Sequence, residues 1–198
     1  NQFVIEEIIK SIEGIGMKYA DDIFLGLDCA SSELYMKETY QLKSEGNEFN
    51  SDEMIEYLIS LVNKYQILSI EDPLDESDWG GWKKFSTKVD DLQIVGDDIF
   101  VTKKEFLERG IVEKVANSIL IKPNQVGTLT ETLQTIDLAK SNDYGTIISH
   151  RSGETEDTFI ADLAVGVDAK QIKTGAPARS DRTAKYNRLL IIENELYP

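Results

Sequence analysis

Six polar residues, Asp28, Glu71, Asp97, Lys122, His150 and Lys173, each follow a short apolar run and precede a turn. From Glu71 onward they are spaced by 23 to 28 residues, about one strand-plus-helix unit each. Such a rhythm converts scattered positions into neighbours along the C-terminal ends of parallel strands, where barrel enzymes carry their chemistry. Asp28, Glu71 and Asp97 come from three consecutive strands. Three hard carboxylate oxygens suit Mg²⁺, which keeps open positions for water and substrate. With one cysteine and one histidine in the chain, no zinc cluster of the usual kind can be assembled. Each acid taken singly reads as well as a helix cap or a solvated loop residue. Asp72, Asp75 and Asp98 show how common nearby acids are, and only the strand-to-strand spacing sets the three apart.

Lys122 is the sharpest candidate for a base. It ends the apolar run Ser118–Ile121 and is followed by Pro123, which stops strand hydrogen bonding and fixes a turn. A free lysine has a pKa near ~10.4, so proton abstraction at neutral pH calls for neighbouring cations that favour the neutral amine. Lys173 and a bound Mg²⁺ would serve. The plainer reading is a surface lysine whose stem lies along apolar surface.

The cluster His150-Arg151-Ser152-Gly153-Glu154 follows another apolar run. A guanidinium grips two phosphate oxygens and an adjacent hydroxyl takes a third, so Arg151 with Ser152 suits a phosphate. His150 alone is as readily structural. Trp79 and Trp82, three apart on a helical stretch, read as packing, and Cys29 as a small buried filler.

The elements that must position these groups alternate along the whole chain. Strands are predicted at Ile23–Asp28, Ile67–Glu71, Gln93–Asp97, Ser118–Ile121, Thr146–Ser149 and Gln171–Ile172. Helices are predicted at Val4–Ile12, Ser51–Tyr65, Asp78–Thr87, Lys103–Glu113, Leu129–Lys140, Asp157–Val165 and Arg182–Glu193. Ser51 with Met54 gives a weak start signal, and Thr102 before Lys103-Lys104-Glu105 a stronger one. Tyr35–Leu42 alternates too well for a plain loop and is expected to pair as a hairpin, and Ser44–Asn47 gives turn chemistry. Repeating βα units imply an α/β fold with parallel strands, and the charged strand ends favour a barrel over an open sheet. Six strands are too few to close a barrel that needs eight.

Composition excludes several classes. A formal charge of −15 argues against nucleic acid as a partner, because phosphate backbones need a basic surface. No apolar run is long enough for membrane insertion. A single cysteine, Cys29, rules out an internal disulfide, which fits a cytoplasmic location.

The motifs carry a closer likeness. G-L-D-C-A-S at Gly26–Ser31, S-I-E-D-P at Ser69–Pro73 and V-G-D-D at Val95–Asp98 are followed by I-L-I-K-P-N-Q-V-G-T-L-T-E-T. S-H-R-S-G-E-T-E-D-T at Ser149–Thr158 and Q-I-K-T-G-A-P-A-R-S at Gln171–Ser180 complete the series. In this order they resemble the C-terminal barrel of the enolase family, bacterial type, over most of the chain.

The resemblance implies an enolase-type TIM-like β/α barrel, here incomplete with about six βα units. It implies Mg²⁺-dependent, reversible dehydration of 2-phosphoglycerate to phosphoenolpyruvate. Asp28, Glu71 and Asp97 then match the metal ligands and Lys122 the general base. Arg151 and Ser152 match the phosphate grip, Lys173 meets the carboxylate end, and His150 lines the pocket. It further implies a homodimer or higher oligomer in the cytoplasm, with a surface or secreted pool in some members. The family's N-terminal α+β domain, first barrel strands and glutamate general acid have no counterpart in residues 1–198, so these residues are expected to hold the base-and-metal half of a site. A contrasting expectation is an inactive piece that serves binding, such as plasminogen capture, although the C-terminal lysine associated with that role is not present in Tyr197-Pro198.

Overall fold

The structure, a computed structural model, describes residues 1–198. It divides into two compact units, the first formed by Asn1–Ile99 with Glu113–Asn117 and the second by Phe100–Val112 with Ser118–Pro198.

The first unit opens with α1 (Gln2–Gly14) and β1 (Gly26–Asp28), followed by a short antiparallel sheet of β2 (Tyr35–Met36), β3 (Thr39–Leu42) and β4 (Asn47–Phe49). Then come α2 (Ser51–Tyr65), β5 (Ser69–Glu71), α3 (Trp79–Lys88) and β6 (Gln93–Gly96). Strands β1, β5 and β6 are parallel, with Asp28 level with Glu71 and Glu71 level with Val95. Parallel strands covered by helices read as apolar runs because both faces are buried; Ile70 and Ile94 are accordingly inaccessible. Ile5, Leu61, Tyr65 and Ile67 join α1, α2 and the approach to β5 in one buried cluster. A mainly apolar cavity of about 560 Å³ lies beside β1, between α1, the small sheet and α2.

One local expectation is extended by the structure and another is corrected. Tyr35–Leu42 pairs as a hairpin as expected, β2 against β3, and β3 pairs again with β4 across the turn after Leu42. Lys37 and Glu38 both take positive φ, 53° and 65°, and make a two-residue turn of the kind that matches strand twist. The segment through Phe49 is therefore a three-stranded meander. Ser51 does not cap α2. Asn50 accepts from the Glu53 N–H at 3.0 Å while Glu53 accepts from the Asn50 N–H at 2.9 Å, a reciprocal box. The Ser51 hydroxyl instead donates to Asp78 at 2.5 Å, and Asp78 caps α3 through the Gly81 N–H. Replacing Asn50 by Ala is expected to lower the unfolding free energy by about 1 kcal/mol; urea denaturation checks this, and an unchanged midpoint would contradict the assignment.

Trp82 is fully buried and its indole N–H donates to the Asp75 carbonyl at 3.1 Å. It is a packing residue with a satisfied polar edge.

The second unit runs α4 (Lys104–Glu113), β7 (Ser118–Ile121), α5 (Pro123–Val126), α6 (Leu129–Lys140), β8 (Gly145–Ser149), α7 (Phe159–Gly166), β9 (Gln171–Lys173) and α8 (Ser180–Leu196). Here β7, β8 and β9 are parallel, and all four residues of β7 are buried. One turn of helix, α5, stands where sequence suggested only a turn. Pro123 occupies its first position, where a missing N–H costs nothing.

Thr102 is likewise corrected as a cap. The helix begins at Lys104, and the buried Thr102 takes φ 58°. Its hydroxyl reaches the Leu120 carbonyl at 3.3 Å and the Gln125 amide oxygen at 2.5 Å, and accepts from the Lys122 N–H at 2.9 Å. It braces the end of β7 and the turn that carries Lys122.

Candidate active site

In the first unit the strand ends are acidic. Asp28 closes β1 and Glu71 closes β5 at the same level. Asp97 follows β6, two residues beyond Val95, the partner of Glu71. In a parallel ladder, residues at one level or two apart share a face, so register alone places Asp28, Glu71 and Asp97 on one side. Glu71 and Asp97 are buried and Asp28 is exposed.

The tightest acidic grouping differs from the one expected. Oxygens of Asp72, Asp97 and Asp98 lie within 4.8 Å of one another. Asp72 is buried, with φ 42°, a left-handed conformation that Asp tolerates better than most residues. Its carboxylate accepts from the Asp97 N–H and the Asp98 N–H, each at 2.9 Å. Burial pushes the Asp72 carboxyl up to about 8 against the lowering effect of those two N–H groups, with Asp97 and Asp98 adding repulsion. Asp72 thus fixes the turn that presents Asp97. Its sequence signal was the second acid of S-I-E-D-P, which looked like an ordinary neighbour. The thiol of Cys29, one residue past Asp28, is pushed up to about 12 by burial and then by Asp28, Asp72 and Glu71.

In the second unit the strand ends are basic. Ile121 is level with Ile148, and Ser149 with Lys173. Lys122, one step past Ile121, therefore stands level with Ser149 and Lys173. The His150 N–H donates to the Lys173 carbonyl at 2.9 Å. Burial holds the His150 imidazole below its ordinary range; Glu154 opposes this, while Lys173, Arg182 and Lys185 reinforce it.

Arg151 and Ser152 are exposed. The Arg151 backbone N–H donates to Glu154 Oε1 at 3.0 Å, and its guanidinium donates to Asn124 Oδ1 at 3.1 Å. Asn124 lies in α5, two residues after Lys122, so the arginine and the lysine are tied to one turn of helix. After Lys173 the chain turns at Gly175, φ 84°. A Cβ there would stand 2.6 Å from Arg182 Cδ, so only glycine fits both the conformation and the space. Thr174, adjacent to Lys173, keeps a buried hydroxyl with no hydrogen-bond partner, an open donor of the kind a substrate oxygen or water satisfies.

An α/β chain whose parallel strands end in carboxylates in one unit and in lysines, histidine and arginine in the other belongs to the β/α-barrel class of enzyme domains. Comparison with known proteins makes this particular. Residues 1–197 match the family described as "Enolase, C-terminal TIM barrel domain", and the chain belongs to it. A protein named Enolase from Natranaerobius thermophilus is 56% identical over 198 residues, covering 100% of this chain and 46% of that protein. The chain thus spans about half the length of the curated relative. Its fold is the α/β architecture of that barrel, incomplete, with six parallel strands where a complete one has eight.

Proposed function

We propose that the protein carrying this chain reversibly dehydrates 2-phosphoglycerate to phosphoenolpyruvate, as a lyase of glycolysis and gluconeogenesis. The observation that supports it most is the common level of Lys122 and Lys173, with His150, Arg151 and Ser152 next in line, in a chain of the enolase family. Lys122 takes the α-proton of the substrate. Arg151 and Ser152 hold the phosphate, and Lys173 meets the carboxylate. His150, whose partial burial disfavours the charged imidazole, lines the same pocket. The leaving hydroxyl departs from the adjacent carbon as water, and its protonation is assigned to no residue of this chain.

Mg²⁺ fits the acidic strand ends, since the donors are all hard carboxylate oxygens and an Asp72-Asp97-Asp98 grouping already spans less than 5 Å. Asp28, Glu71 and Asp97 would hold it, with Asp72 fixing the turn at Asp97. The chemistry such an ion would supply is positive charge, which would offset the negative charge that builds on a carboxylate losing its α-proton. We further propose a cytoplasmic homodimer or larger oligomer; no helix is long and apolar enough to cross a membrane.

The test is phosphoenolpyruvate formation from 2-phosphoglycerate by the full-length protein with Mg²⁺, its loss with EDTA and its return on adding Mg²⁺ back. Turnover insensitive to EDTA would remove the metal from the proposal. Arg151→Ala should raise KM on the order of 10- to 100-fold, with a smaller change in kcat. An unchanged KM would remove the phosphate role from Arg151.

A further inference from the structure

Lys185 on α8 is the one fully buried lysine side chain, at 0% exposure. Its ammonium has three N–H donors, and each has an acceptor: Glu154 Oε2 at 2.8 Å, the Thr155 carbonyl at 2.5 Å and the Asp181 carbonyl at 2.6 Å. Burying a charge is costly unless it is paired and hydrogen-bonded, and here every donor is used. Two of the three acceptors, Glu154 and Thr155, belong to the loop that begins with His150-Arg151-Ser152. Glu154 spends its other oxygen on the Arg151 N–H at 3.0 Å. A rigid helix is thereby linked, through one buried ammonium and one carboxylate, to the backbone of the residue assigned to the phosphate.

The arrangement does more than hold two elements together. α7 and α8 are already joined by Arg188, which grips Asp162 with bonds of 2.6 and 3.0 Å. Nor does it neutralise Arg151, whose side chain points to Asn124. What the Glu154 carboxylate fixes is the Arg151 main chain. Without it, an exposed Arg-Ser-Gly segment would be free to sample many conformations. The cost of ordering that segment would then fall on substrate binding.

We infer that Lys185 and Glu154 are positioning residues that pre-set the Arg151-Ser152 loop for the substrate phosphate. This rests on the reading of Arg151 and Ser152 as the phosphate grip. Neither residue touches substrate. Both act through the Arg151 backbone, so their effect depends on Arg151 being there to be positioned.

That dependence supplies the test. In the full-length protein, Glu154→Gln and Lys185→Met are measured for kcat and KM with 2-phosphoglycerate, each in the native and the Arg151→Ala background. Glu154→Gln is the gentler change, because Glu154 is partly exposed and Gln keeps an acceptor oxygen. It keeps the proposal testable if Lys185→Met does not fold. Expected is a rise in KM on the order of 10- to 100-fold in the native background, reduced to about twofold or less with Arg151 absent. An equal loss in both backgrounds, or a loss confined to kcat, would mean a general structural role and overturn the proposal. No loss in either background would overturn it too. If Arg151→Ala alone leaves KM unchanged, the phosphate assignment itself fails, which is a distinct result.

Discussion

Lys122→Met in the full-length protein is expected to lower kcat by about 10²- to 10⁴-fold, the usual contribution of a positioned general base, while KM changes little. Methionine keeps the length and apolar body of the side chain and removes only the amine. The backbone around it should persist, since the Lys122 N–H is held by the Thr102 hydroxyl and Pro123 starts α5 whatever side chain precedes it. A loss shared equally between kcat and KM would point to binding instead of proton transfer. Near-native kcat would remove Lys122 from the chemistry. Thr102→Val offers a milder companion. It deletes the hydroxyl that anchors Lys122, Leu120 and Gln125 and should cost activity without removing the base.

Asp97→Asn is expected to abolish Mg²⁺-dependent activity and weaken Mg²⁺ binding on the order of 100-fold or more, because a neutral amide replaces a charged oxygen in a site that depends on charge count. Asp97 is shared by both carboxylate groupings, the one on register with Asp28 and Glu71 and the compact one with Asp72 and Asp98. Two further variants separate them. If the ion sits among the strand ends, Glu71→Gln should match Asp97→Asn while Asp98→Asn does less. The reverse ranking would place the ion in the compact grouping. Calorimetric titration with Mg²⁺ reads both, and undiminished binding in Asp97→Asn would exclude either site.

Much of the architecture was legible because burial leaves a period in the sequence. Ser118–Ile121 is apolar at three of its four positions and is buried at every one. α2 and α6 fall at the residues that their apolar spacing indicates. Starts and turns were less legible, because they depend on which side chain wins a backbone group. Asn50 and Ser51 are both good caps by type, and tertiary contact with Asp78 draws Ser51 away. Lys37-Glu38 lacks the Asn-Gly signature of its turn, so the place where the hairpin turns left no local mark.

The candidate site divides the same way. Strand-end residues are found by counting, since a parallel βα repeat places them at regular intervals. Their supporting groups are not. Asp72 matters through two amides from another strand end, and Lys185 through a loop on a different element. Nothing in their local sequence distinguishes either from the many other charged residues of the chain.

The measurement to make is proton NMR of 2-phosphoglycerate in deuterated buffer with Mg²⁺ and the full-length protein, alongside its Lys122→Met variant. The native protein should wash out the α-proton signal and build up phosphoenolpyruvate, and the variant should do neither at a comparable rate. An α-proton retained in the presence of the folded, Mg²⁺-binding native protein would contradict the assignment of this chain to enolase chemistry. Exchange equally fast in the variant would take the base away from Lys122.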